Sequence, residues 1–126
     1  MKIEHLAIWT NQLEALKDFY CNFFKATSSE KYHNPNKQFS SYFLTFESGS
    51  RLELMHRPQL NDVNNNASVG LAHFAFSVGS EQEVDRMTEF LKKEGYPPVD
   101  GPRRTGDGYY ESTFQDPDGN VVELTV

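Results

Sequence analysis

Residues 3–9 (IEHLAIW) alternate strictly: Ile3, His5, Ala7 and Trp9 share one side of an extended chain, and Glu4, Leu6 and Ile8 share the other. This predicts a strand. The pattern then changes period. In NQLEALKDFYCNFF, Leu13, Leu16, Phe19, Tyr20, Phe23 and Phe24 recur at steps of three and four, an amphipathic helix with Thr10 or Asn11 as its N-cap. After a loop around YHNPNKQ come two strands, SSYFLTFE (40–47) and RLELMHR (51–57), joined by the turn Ser48-Gly49-Ser50. NDVNNNAS (61–68) has no periodicity and is expected to be a polar linker.

The same order then returns. LAHFAFSV (71–78) reads as a strand. SEQEVDRMTEFLKKEG reads as a helix, with Ser80 and Glu83 as a capping box and Gly95 as its stop. GPRRTGDG is expected to be a glycine-rich loop, YYESTFQ a strand, DPDG a turn and NVVELTV the closing strand. His5 matches His73 at an offset of 73 − 5 = 68, and Tyr42 matches Tyr110 and Phe46 matches Phe114 at that same offset. Glu53 matches Glu123 at 123 − 53 = 70, a slip of two residues assigned to a longer DPDG turn. Each half therefore reads strand–helix–strand–strand–strand, with a faint second strand. The expectation is an α+β fold of two tandem βαβββ modules whose curved mixed sheets enclose a metal-binding cavity. The modules are 1–60 and 69–126, joined by linker 61–68 into one domain of 1–126.

Face parity gives the four polar residues their interest. Leu52 and Leu54, like Val122 and Leu124, form the apolar side of each last strand and call for cover by that half's helix. Glu53 and Glu123 then lie on the uncovered side, as His5 and His73 do by the same reasoning. A histidine or glutamate on one strand is ordinarily solvated, but here the same pair interrupts equivalent strands twice. Two imidazoles and two carboxylates converging on a cavity would need water or an ion to satisfy them. Two nitrogens and two hard oxygens suit one divalent metal such as Ni, Zn, Co, Mn or Fe. Four ligands in an octahedral shell leave two positions for water or substrate.

Composition narrows the partners. The chain has 126 residues and a net charge of −6, which argues against nucleic acid. It contains no apolar run near the ~20 residues of a spanning helix, so no membrane attachment is expected. MKIEH leads straight into a strand, so no signal peptide is expected. The single Cys21, set among aromatics, fits a packed thiol in a reducing cytoplasm.

The strands bearing His5, Glu53, His73 and Glu123, together with the ending FQDPDGNVVEL, resemble the glyoxalase I / bleomycin-resistance / extradiol-dioxygenase group, the vicinal-oxygen-chelate superfamily. The resemblance spans essentially the whole chain and is nearest to short bacterial glyoxalase I-like proteins. It implies a divalent metal held by those four side chains, and a homodimer whose ligands come from one chain or from two. Fosfomycin-resistance enzymes and extradiol dioxygenases of this group use two histidines and one glutamate. Methylmalonyl-CoA epimerases usually carry glutamine in place of Glu53, and bleomycin-binding proteins generally lack the metal set. The His-Glu-His-Glu pattern implies glyoxalase-type proton transfer beside a carbonyl, through a metal-stabilised enediolate. Glu123 is the first candidate base and Glu53 the second. The substrate expected is a small carbonyl compound, for example a methylglyoxal–thiol hemithioacetal. The alternative is a bleomycin-resistance-type binding protein without catalysis.

Glyoxalase I enzymes typically carry an arginine on the first strand for the glutathione carboxylate. Here that strand ends in Trp9 with no arginine, which leaves the thiol open. Trp9, Arg103, Arg104 and Tyr109 are the candidate substrate-binding residues, the arginines for an anionic group. His33 and His56 are expected on the surface, outside the site.

Overall fold

The computed structural model describes residues 3–61 and 69–126, and the chain forms two compact units, Met1–Val63 and Asn64–Val126. The expected linker 61–68 lies, except for Asn61, outside the described residues.

In the first unit, β1 (His5–Trp9) is followed by α1 (Leu13–Phe24), then β2 (Thr27–Ser28), β3 (Tyr32–Asn34), β4 (Phe39–Thr45) and β5 (Arg51–His56). The sheet runs β1-β5-β4-β2, with β3 also paired to β4. β1 and β5 are parallel and the other pairs antiparallel. Leu13, Leu16, Phe19, Tyr20 and Phe24 of α1 are buried together with Ile8, Leu44, Leu52 and Leu54 from the sheet. The helix thus covers one sheet face, and the opposite face carries His5, Ala7, Trp9, Arg51, Glu53 and Met55.

The second unit repeats the plan with β6 (Phe74–Ser77), α2 (Glu81–Lys93), β7 (Asp100–Arg104), β8 (Tyr110–Gln115) and β9 (Val121–Thr125), in the order β6-β9-β8-β7. Again the first and last strands are parallel. Val84 and Leu91 of α2 are fully buried, as are Phe114, Val122 and Leu124 of the sheet. Ser80 Oγ accepts from the Glu83 amide at 3.2 Å, and Gly95 closes the helix at φ +94°.

Several expectations need correcting. The cap of α1 is Gln12, whose side chain makes no capping hydrogen bond; Thr10 Oγ1 instead accepts from the Gln12 amide at 2.9 Å, two residues too early to be the cap. The loop around YHNPNKQ contains β3, because residues 32–34 find backbone partners on β4. The loop GPRRTGDG begins inside β7, an edge strand where Pro102 can sit without a missing ladder bond. There Gly101 has φ +81°, and a Cβ would lie 2.5 Å from the Glu111 carbonyl oxygen, so only glycine fits.

The two-residue slip also moves. Thr45 pairs with Arg51 and Gln115 with Val121, so the last turns are of equal length. Ladder register equates Tyr42 with Ser112 and Leu44 with Phe114, both at 70 like the glutamates, while Ala7 and Ala75 oppose Glu53 and Glu123 at 68. The extra residues therefore fall between the first strand and β8, and the DPDG turn is not where they sit. An even slip leaves face parity unchanged, which is why the alternation alone could not locate it.

Truncating Leu54 or Leu124 to alanine should cost about 2–5 kcal/mol in urea unfolding, as each is fully buried. A second outcome concerns Glu14. Its carboxylate bonds Lys31 Nζ at 2.8 Å, and burial opposes the resulting shift, while Lys17 and the Tyr42 hydroxyl add to it. Together they hold its pKa at about 2, against 4.5 ordinarily. A lowered folded pKa gives stability that is present above 4.5 and lost as pH falls toward 2. Acid titration of thermal unfolding should show that loss in the wild type and a flatter profile in Glu14→Gln.

Candidate functional site

Each unit carries one histidine–glutamate pair on its open sheet face. In the first, Glu53 sits opposite Ala7 in the β1–β5 ladder, and His5 is the next same-face residue along β1. Its Nε2 lies 3.8 Å from Glu53 Oε2. In the second, Glu123 sits opposite Ala75, and His73 Nε2 lies 3.3 Å from Glu123 Oε2. His73 falls one residue before β6, so the expected strand position is corrected to the strand's entry. The alanines matter: a small residue opposite each glutamate leaves its carboxylate free to lean toward the histidine.

Both carboxylates are sheltered, at 17% and 16% side-chain exposure, while their histidines are more open at 38% and 46%. Bonds of about 2.1 Å put two donors of one ion roughly 3.0–3.4 Å apart, for angles from square to tetrahedral. The His73–Glu123 spacing falls within that range and the His5–Glu53 spacing is slightly wide, within a small side-chain rotation. The donor set of each pair, one imidazole nitrogen and one carboxylate oxygen, fits a divalent first-row metal. Among the described residues no three or more His, Cys, Asp or Glu side chains gather as a group that could hold one. Each unit by itself presents a pair.

The two pairs have different surroundings. His5 Nδ1 is 2.5 Å from Glu4 Oε2, and Arg51 Nε bonds Glu4 Oε1 at 2.7 Å. The bond from His5, aided by Arg51 and opposed by burial, lowers the Glu4 pKa. Phe43, opposite Glu53 in the ladder, meets the His5 ring edge-on with centroids 5.5 Å apart, and the Arg51 guanidinium lies 4.3 Å over Phe43. Around His73 no such frame exists among the described residues. Instead Glu111, on the same face of β8 as Thr113, adds a second acid beside Glu123 to this unit's open side. Burial raises its pKa and the Glu123 charge raises it further, with Arg103 opposing from 3.7 Å. Glu4, Arg51 and Glu111 were all missed from the sequence. Glu111 was visible in principle by parity with the glutamate-bearing strand, and Glu4 by its place beside His5.

The four substrate-binding candidates are placed as follows. Trp9 shares the face of His5 and is 44% exposed, with Phe39 edge-on at 6.2 Å and the Arg57 guanidinium 4.7 Å over its ring. Arg103 is engaged by Asp100 at 2.6 Å, and Arg104 by Glu81 and the Gly108 carbonyl. Tyr109 is exposed, and its backbone holds Thr105 across the loop. The neighbouring Tyr110 donates to Asp85 at 2.7 Å. His33 bonds Ser40 Oγ from β3 and is exposed; His56 is half-buried, its Nδ1–H donating to the Thr10 carbonyl at 2.8 Å, which corrects its surface assignment.

These features meet in one group. The sequence model of the Glyoxalase/Bleomycin resistance protein/Dioxygenase superfamily matches residues 2–124, and the chain belongs to that superfamily. Biphenyl-2,3-diol 1,2-dioxygenase 2 of Rhodococcus globerulus is 30% identical over 127 residues, covering 99% of this chain and 62% of that enzyme. The chain thus spans less than two-thirds of that relative's length. A glyoxalase family protein from Enterococcus faecalis superposes with a TM-score of 0.80 at 26% identity, covering 99% of this chain and 97% of the other. Lactoylglutathione lyase from Agrobacterium tumefaciens does so at 0.72 and 26%, covering 98% and 92%.

If the open face of the first unit receives substrate, Trp9→Ala should raise KM several-fold with little change in thermal stability. A fall in melting temperature without a KM change would instead make Trp9 a packing residue.

Proposed function

We propose that this protein is a metal-dependent lyase or isomerase of the glyoxalase type, acting on a small oxygenated carbonyl compound. The observation that carries the reading is the repeated pair, His5–Glu53 and His73–Glu123, each on the helix-free face of its sheet with the glutamate opposite an alanine. Those four side chains would hold one divalent ion, Ni, Zn, Co, Mn or Fe, in a homodimer within the cytoplasm. Among the described residues no helix is long and apolar enough to cross a membrane. When bound, such an ion supplies Lewis-acid polarisation of a carbonyl.

The protein's own work is then proton transfer. Glu123 takes the proton from the hydroxyl-bearing carbon beside the carbonyl and returns it to the former carbonyl carbon, while the hydroxyl proton passes from the first oxygen to the second, so the change is redox-neutral and leaves the carboxylate as it began. Glu123 is preferred to Glu53 because its partner His73 has no second hydrogen bond or ion pair among the described residues, leaving this pair freer to rearrange. Trp9 would lie against the body of the substrate. Arg103 and Arg104 would meet an anionic group only by exchanging their present carboxylate partners.

A second reading has a specific warrant in the dioxygenase relative. A centre of two histidines and one carboxylate suits Fe(II) oxygen chemistry, and Glu53 would then be the surplus ligand. The binding-protein alternative would need no metal.

The deciding experiment is metal content per chain, in protein purified without chelators, for the wild type, Glu53→Gln and Glu123→Gln, followed by assay. Turnover of a methylglyoxal–thiol hemithioacetal with Ni, Zn, Co or Mn, reduced at least 100-fold in Glu123→Gln, is the expected result. Ring cleavage of a catechol with Fe(II), little affected by Glu53→Gln, would move the assignment to a dioxygenase. Failure to retain metal after reconstitution would leave a small-molecule binding protein.

A further inference from the structure

The two halves match in their histidines and glutamates but differ in the residue before each histidine: Glu4 precedes His5, whereas Ala72 precedes His73. Glu4 is held in place. Arg51, the cross-strand partner of His5, reaches it through Nε at 2.7 Å and Nη2 at 2.5 Å, both to Oε1. The other oxygen, Oε2, is 2.5 Å from His5 Nδ1. An ionised carboxylate only accepts hydrogen bonds, so the proton of this contact belongs to Nδ1. Neutral His5 then carries its lone pair on Nε2, the atom that faces Glu53. Phe43 against the ring edge limits rotation away from that pose.

We infer that Glu4, clamped by Arg51, is a positioning residue. It locks His5 in the Nδ1–H tautomer with Nε2 presented toward Glu53, and makes His5 the anchoring donor of the four. His73, whose one hydrogen-bond or ion-pair partner among the described residues is Glu123, lacks this device. A carboxylate on the far nitrogen of a ligating histidine fixes its tautomer and raises its basicity, and removing such a partner typically weakens metal binding 10–100-fold. The tautomer part stands on the hydrogen bonds alone. The anchoring part rests on the metal reading above.

The test separates the two. Long-range 1H–15N NMR of the metal-free protein, at a pH where both imidazoles are neutral, reports which nitrogen of each histidine is protonated. Wild type should show Nδ1–H at His5. Glu4→Ala should release His5 to the opposite or a mixed tautomer, and Glu4→Gln, which keeps a carbonyl acceptor, should preserve it in large part. Chelator competition for Ni or Zn should then show a 10–100-fold loss in Glu4→Ala and a smaller one in Glu4→Gln. An unchanged His5 tautomer in Glu4→Ala overturns the inference. A changed tautomer with undiminished affinity overturns the anchoring role. A changed tautomer in a protein whose wild type binds no metal supports the positioning and sinks the metal reading instead.

Discussion

The parallel pairing of first and last strand in each unit is the constraint on which the rest depends. In both sheets the chain leaves the first strand, crosses over as a helix and returns through antiparallel strands to lie beside its own beginning. Only that return sets a residue near position 5 beside one near 53, or one near 73 beside one near 123. The ladder then does the rest. It places alanine opposite glutamate and histidine one same-face step away, so two long side chains reach across one small one. The helix decides which face is bare, because Leu52 and Leu54, like Val122 and Leu124, take the covered one.

Electrostatics on the bare faces follow from the same arrangement. In the second unit Glu123 and Glu111 share a face, each with little exposure, and the proton affinity of Glu111 rises from burial and from the Glu123 charge. Arg103 offsets this only in part, since Asp100 takes its shorter contact. Negative charge held out of water is costly unless compensated, and a cation beside Glu123 would compensate it. In the first unit the acid next to the histidine is already satisfied: Glu4 is tied to Arg51 and His5. The unit with the looser histidine is therefore also the one with the greater excess of acid.

Legibility in the sequence followed the strength of the periodic signal. The two helices, the covered and bare faces, and the side of the sheet on which His5, Glu53 and Glu123 stand could be read because alternation and three-four spacing are set by backbone geometry. What could not be read lacks such a signal. β3 is three residues long and exists through pairing with β4, while β7 is built around glycine and proline that ordinarily mark loops. Offsets of 68 and 70 share a parity, so the slip was misplaced onto the DPDG turn. That turn is instead organised by Asp116, whose carboxylate accepts from the Asp118 and Asn120 amides. Arg103 and Arg104 were recognised as a charged pair, but their partners Asp100 and Glu81 depend on how strand and helix dock within the unit.

The unequal surroundings of the two pairs bear on how a duplicated module divides labour. A donor that must hold an ion benefits from a fixed ring and a polarised nitrogen, and the Arg51–Glu4–His5 chain with Phe43 beside it provides both. A carboxylate that must accept and return a proton benefits from freedom to move, and a neighbour already locked in place would oppose that. The two pairs repeat, but their frames do not: Glu4, Arg51 and Phe43 surround His5, where the second unit has Ala72, Val121 and Thr113. On the proposed proton-transfer chemistry this asymmetry favours Glu123 over Glu53 as the base, because that chemistry asks for one held donor and one freer carboxylate.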